Sequence, residues 1–121
     1  MTEKVMKVGI APFADFKART LAIAKGELKP KADEPKVWFP STESFARVLS
    51  EKNRDLLKTI VDTHPASLED LAARTGRAPS NLSRTLNTMA RYGLVELHRG
   101  ERGRIRPEVP YQRIELELAL G

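Results

Sequence analysis

Residues 77–107 carry seven basic side chains against two acidic ones, and every one of those bases is arginine. A guanidinium presents a planar fork that grips a phosphate or a guanine edge through paired hydrogen bonds, which lysine cannot do. Interleaved with the arginines stand Ser80, Asn81, Ser83, Asn87 and Thr88. An asparagine amide can pair with an adenine edge, and serine, threonine and arginine can hold phosphates. The chemistry such a set supports is recognition of a polyanion with readable edges. The rest of the chain is poorer in excess charge: residues 1–40 sum to +3, 41–76 to −1 and 108–121 to −2, within a total of +5.

These residues need a helix and a hairpin to present them. Ala78-Pro79-Ser80 is expected to open the helix, with Pro79 in the first turn and Ser80 as cap, and Gly93 to end it after Tyr92. At about 100° per residue, Leu82, Leu86 and Met89 form one face, with Ala90 beside them. The opposite face holds Ser80, Arg84, Asn87 and Arg91, flanked by Asn81 and Thr88, and contains no acid. A merely solvated face ordinarily uses Glu and Lys, which favour helix; this one uses weaker helix formers with hydrogen-bonding groups. The first turn of a recognition helix enters the major groove most deeply, so Ser80, Asn81 and Arg84 are expected to matter most.

After Gly93 the apolar period changes to two through Leu94, Val95 and Leu97, followed by the turn Gly100-Glu101-Arg102-Gly103 and by Arg104-Ile105-Arg106. This predicts a hairpin whose tip carries Arg99, Arg102, Arg104 and Arg106, suited to clamping a backbone or entering a narrow minor groove. Before the arginine-rich helix, Ser67-Leu68-Glu69-Asp70 resembles a capping box, with Asp70 where Glu or Gln is usual. Leu68, Leu71 and Ala72 form that helix's apolar stripe, and Gly76 stops it. The short turn Thr75–Pro79 keeps the two helices from lying antiparallel.

Upstream, Ser41-Thr42 opens a helical pattern through Phe45, Val48 and Leu49 that continues through Leu56, Leu57, Ile60 and Val61, as one helix or as two broken near Ser50–Asn53, until His64-Pro65 ends it. Residues 12–26 read as a helix between Pro12 and Gly26, residues 27–36 as a linker, and Val37-Trp38-Phe39 as a brief edge strand or a plug into the core. Pro107 and Pro110 are expected to interrupt the region after the hairpin. Ile114, Leu116, Leu118 and Leu120 then alternate with polar residues, the pattern of a half-buried strand that packs on its own core or pairs across a dimer.

Residues 67–106, SLEDLAARTGRAPSNLSRTLNTMARYGLVELHRGERGRIR, resemble the winged helix-turn-helix of MarR-like and related bacterial and archaeal regulators. The pattern LEDLAARTG…SNLSRTLNTMARYGLVE carries the resemblance, above all the exit Tyr92-Gly93-Leu94-Val95. Together with KARTLAIAKGE, PKVWF, LSEKNRDLLKTI and VPYQRIELEL, the layout is similar to a narrower group of small predicted regulators that includes TumA-like antitoxins. The resemblance implies an α+β, mainly α, winged helix-turn-helix with an N-terminal helical arm. It implies a dimeric, sequence-specific double-stranded DNA-binding repressor, and for the antitoxin group a toxin protein as partner. MarR-like proteins flank this unit with longer dimerisation helices, for which the chain offers only residues 1–40 and its last strand, so their dimer mode does not carry over.

The 121 residues suit one DNA-binding domain over 41–121, with residues 1–40 as a dimerisation or partner arm. The expected contact set is Ser80, Asn81, Ser83, Arg84, Asn87, Thr88, Arg91, Arg99, Arg102 and Arg104. The chain lacks cysteine, and its two histidines, His64 and His98, stand far apart, so no metal site or cofactor is expected. Glu69 and Asp70 suit a helix first turn better than acid–base work, and neither a phosphate loop nor a nucleophile–base set is present, so no catalytic residue is expected. No run approaches the ~20 apolar residues of a membrane span, and MTEKVMKVGI lacks the apolar core of a signal peptide, so the cytoplasm is the expected compartment. The alternative is a protein–protein interaction module on the same scaffold. RNA reading by base stacking fits poorly with 6% aromatic residues and none clustered by the arginines.

Overall fold

The computed structural model describes residues 4–11, 26 and 35–118. The expected helix over 12–26, except Gly26, the linker up to residue 34, and Ala119-Leu120 of the closing strand lie outside these residues. Among the described residues the chain is α+β: β1 (Val5–Ile10), β2 (Val37–Phe39), α1 (Thr42–Val48), α2 (Glu51–Thr63), α3 (Leu68–Thr75), α4 (Pro79–Tyr92), β3 (Glu96–Arg99), β4 (Ile105–Glu108) and β5 (Arg113–Leu118).

Helix boundaries follow local chemistry. The hydroxyls of Ser41, Ser50 and Ser67 accept from the backbone N–H groups of Ser44, Asn53 and Asp70, capping α1, α2 and α3. The break near Ser50 is therefore real, and a new cap creates it. Asp70 reaches one residue further back than the usual box, accepting from the N–H of Ala66 at 2.9 Å. That bond is the main cause holding its carboxyl below the ordinary carboxylate range, with the nearby Arg74 guanidinium helping. His64 ends α2 with φ 47°, a left-handed conformation at which Pro65 follows and helix cannot continue. Gly76 and Gly93 end α3 and α4 at φ 75° and 84°. The cap of α4 differs from expectation: Pro79 occupies the first helical position, so the cap falls on Ala78, which offers no side-chain acceptor, and Ser80 stands exposed inside the first turn.

Two sheets accompany the helices. β3 and β4 form the expected antiparallel hairpin, with Glu96 opposite Glu108, Leu97 opposite Pro107, His98 opposite Arg106 and Arg99 opposite Ile105. Pro107 does not interrupt β4; it lies buried inside the strand, tolerated because each strand of a two-stranded ribbon has an unpaired edge. The other sheet has the order β2-β1-β5 and is entirely parallel. Local patterning does not announce it, since it joins Val5–Ile10 to Arg113–Leu118 across nearly the whole chain.

The core joins these parts. Val8, Ile10, Val37 and Phe39 are buried with Leu56, Leu57 and Ile60 of α2, Leu71 of α3, and Leu82, Leu86 and Met89 of α4. Phe39 stacks on Tyr92 with centroids 4.6 Å apart and meets Phe45 edge-on at 5.6 Å, tying β2 to the middle of α1 and the end of α4. The expectation of a core role holds for Phe39; Trp38 is half-buried on the opposite sheet face, across Gly9, where a Cβ would come within 2.5 Å of its ring. Residues 5–10 thus contribute to the common core.

The closing strand departs from expectation in one respect. Its apolar row is only partly covered: Ile114 is half-buried, while Leu116 and Leu118 are 47% and 56% exposed.

Candidate nucleic-acid interface

Helix α4 is anchored by Leu82 and Leu86, both fully buried, and Met89. A helix held along one face must present the other. Ser80, Asn81, Arg84, Asn87 and Arg91 are exposed, and Ser83 and Thr88 are half-buried at the margins. No carboxylate stands anywhere on α4.

Several of these groups are held by their own helix. The Asn87 amide donates to the Ser83 carbonyl at 2.8 Å and approaches its hydroxyl at 3.4 Å. The Thr88 hydroxyl donates to the Arg84 carbonyl at 3.1 Å. Asn87 and Ser83 therefore form one polar unit a turn apart, and Asn87 keeps its amide oxygen as an acceptor.

Arg77 lies in the turn before α4 and was absent from the expected contact set. Its Nε donates to the Asn81 amide oxygen at 3.0 Å and its Nη2 to the Thr85 hydroxyl at 3.4 Å. It straps the turn onto the first two turns of α4 and fixes the amide of Asn81. Its Nη1 is buried and makes no hydrogen bond. The sequence signal was present, since Arg77 belongs to the arginine-rich stretch, but on the helical wheel it falls before the helix.

The hairpin tip is closed by the Gly100 N–H donating to the Arg104 carbonyl at 2.7 Å and the Arg104 N–H donating to Glu101 at 3.2 Å. Between them Glu101–Gly103 form a single 3₁₀ turn, with Arg102 at φ 59°. Arg99, Arg102 and Arg104 are all exposed and fall within this short tip. Arg106 is different: it pairs with Glu108 at 3.1 Å.

Strand alternation puts Arg106 on one hairpin face with Glu96, His98 and Glu108. Ligand atoms of Glu96, His98 and Glu108 lie within 4.8 Å of one another. The buried Nε2 of His98 makes no hydrogen bond and sits 3.4 Å from Glu96 and 3.8 Å from Glu108. Counting histidines along the sequence missed this trio, because strand pairing rather than spacing assembles it. Arg106 already supplies a cation to Glu108 there.

At the exit of α4, the Tyr111 hydroxyl donates to the Leu94 carbonyl at 2.7 Å. This pins the segment after the hairpin to the exit of α4, and burial pushes the phenol up to about 12.

Among the described residues no helix is long and apolar enough to cross a membrane. No curated protein and no solved structure matches the chain. A family model matches residues 48–116, more than half of the chain, spanning α2, α3, α4, the hairpin and most of β5; the chain belongs to the HVO_A0114 family.

Proposed function

We propose that the chain is a sequence-specific double-stranded DNA-binding regulator, a dimeric winged helix-turn-helix repressor with α4 as recognition helix and the β3–β4 hairpin as wing. The observation that carries this reading is the polar face of α4: five exposed residues able to bind bases or phosphates, with Ser83 and Thr88 at its margins and no acid, on a helix anchored by Leu82, Leu86 and Met89. Arg84 and Asn81 are assigned to base edges, and Ser80, Ser83, Asn87, Thr88 and Arg91 to bases or flanking phosphates. Arg99, Arg102 and Arg104 are assigned to the backbone or minor groove. Arg77 positions Asn81. Because such regulators often act on their own genes, the natural target is the upstream region of the gene itself, and a toxin protein is a partner for an autorepressing antitoxin of this layout.

The test is a gel shift with the upstream region and with a scrambled duplex of equal length and composition. A shift confined to the upstream region supports the reading. Absence of any shift, with a protein partner recovered instead, favours the same scaffold acting as an interaction module.

A further inference from the structure

We propose that β5 is the dimer interface: two copies join the outer edges of this strand antiparallel about a two-fold axis through Glu115, making one six-stranded sheet. This deepens the dimeric part of the reading above by naming the surface.

The strand is placed for it. β5 ends the sheet order β2-β1-β5, and its inner edge pairs with β1 along its full length. Among the described residues no strand pairs with the other edge. An unpaired edge of six residues is usually blunted by proline, a bulge, edge charges or an inward charge; β5 has no proline, bulge or inward charge, and its charges Arg113, Glu115 and Glu117 all stand on the face away from its apolar side chains, where they act through register.

The uncovered side chains lie at the same rim. Leu116 and Leu118 are the exposed large hydrophobics of the described residues. They stand beside Val8 and Ile10, which are buried, so they share the core-facing side of the sheet and lose cover only at its edge.

Charge then selects the register. A symmetric edge pairing that keeps apolar residues opposite apolar ones must centre on a residue, because a one-residue slip moves a side chain to the other face. Centred on Leu116, it would set Glu115 against Glu117 twice, like charges directly opposed. Centred on Ile114, it would draw Pro110, which has no N–H to donate, into the ladder. Centred on Glu115, it sets Arg113 against Glu117 twice and Ile114 against Leu116 twice. Like charges are then opposed once rather than twice, at the axial Glu115 pair, and each of those carboxylates is held by Arg113 of its own chain, 2.9 Å away.

The same register fills a groove. A cavity of about 500 Å³ lies between α2 and the start of β5, lined by Leu57, Val61, Tyr111, Gln112 and Ile114 among others. Pairing about Glu115 brings Leu118 of the second copy opposite Gln112, at the mouth of this groove. Its filling extends the contact beyond the strand edge toward the ~800 Å² per partner of a stable interface.

The chain has no cysteine, so engineered cysteines report the register directly. Sedimentation of the full chain should show a dimer. E115C should form a disulfide-linked dimer on mild oxidation, since residues facing each other across an antiparallel pair lie within disulfide reach, whereas E117C should not. L118D should weaken dimerisation at least about tenfold while leaving the circular dichroism spectrum unchanged. A monomeric wild type, a dimer indifferent to L118D, or cross-linking at position 117 instead of 115 would overturn the proposal. DNA binding is scored separately: cross-linking at 115 without an operator shift retains the interface and rejects the regulator, and an operator shift by a protein without this dimer does the reverse.

Discussion

Tyr111 shows how much one side chain contributes behind the candidate interface. Its hydroxyl satisfies the carbonyl of Leu94, a fully buried residue. Y111F leaves that acceptor without a partner, an expected loss of about 1–3 kcal/mol in denaturant unfolding. The pH dependence follows from the raised pKa, because the fold favours the neutral phenol. The stabilising effect is complete below the unfolded value of about 10 and is lost as pH rises through about 12. Alkaline unfolding should therefore show a component in that window for the wild type, absent from Y111F. Asp70 has the opposite sign: with its carboxyl held low, its support for the start of α3 is present above the ordinary carboxylate value and fades as pH falls below it.

At the scale of elements, the caps and stops were legible in the sequence because they are local. Ser41, Ser50 and Ser67 sit directly before the turns whose N–H groups they satisfy, and Gly76 and Gly93 sit where a left-handed residue is needed. S67A should cost about 1 kcal/mol of stability, measurable by thermal or denaturant unfolding. Competing local signals misled at α4, where Ser80 is the better cap by residue type but Pro79 fixes the first helical position one residue earlier. The parallel sheet was not legible. Val5–Ile10, interrupted by Lys7 and Gly9, carries no clear local pattern, and what makes it a strand is pairing with residues more than a hundred positions away. G9A tests that packing: a methyl would meet the Trp38 ring at 2.5 Å, so a loss of about 1–3 kcal/mol is expected, and an unchanged unfolding midpoint would mean the ring moves aside freely.

For the whole molecule, the sum of +5 says little until it is located. It is concentrated in α4, the turn before it and the hairpin, and Arg106 is offset there by Glu108. The candidate site was legible to the extent that a helical wheel can separate Leu82, Leu86 and Met89 from the polar face. The strap from Arg77 and the cluster around His98 were not, because each depends on packing or strand pairing. If the hairpin contacts phosphates, the double variant R102A/R104A should weaken binding to specific and scrambled duplexes alike. The slope of log affinity against log salt should then fall by about two. The most direct test of the central claim is the affinity of wild type and R84A for the gene's upstream duplex and for a scrambled one, measured by fluorescence anisotropy at fixed salt. The account predicts that R84A loses about 1–3 kcal/mol on the upstream duplex and almost nothing on the scrambled one. Equal affinity of the wild type for both duplexes, or an R84A variant that still discriminates fully, would contradict it.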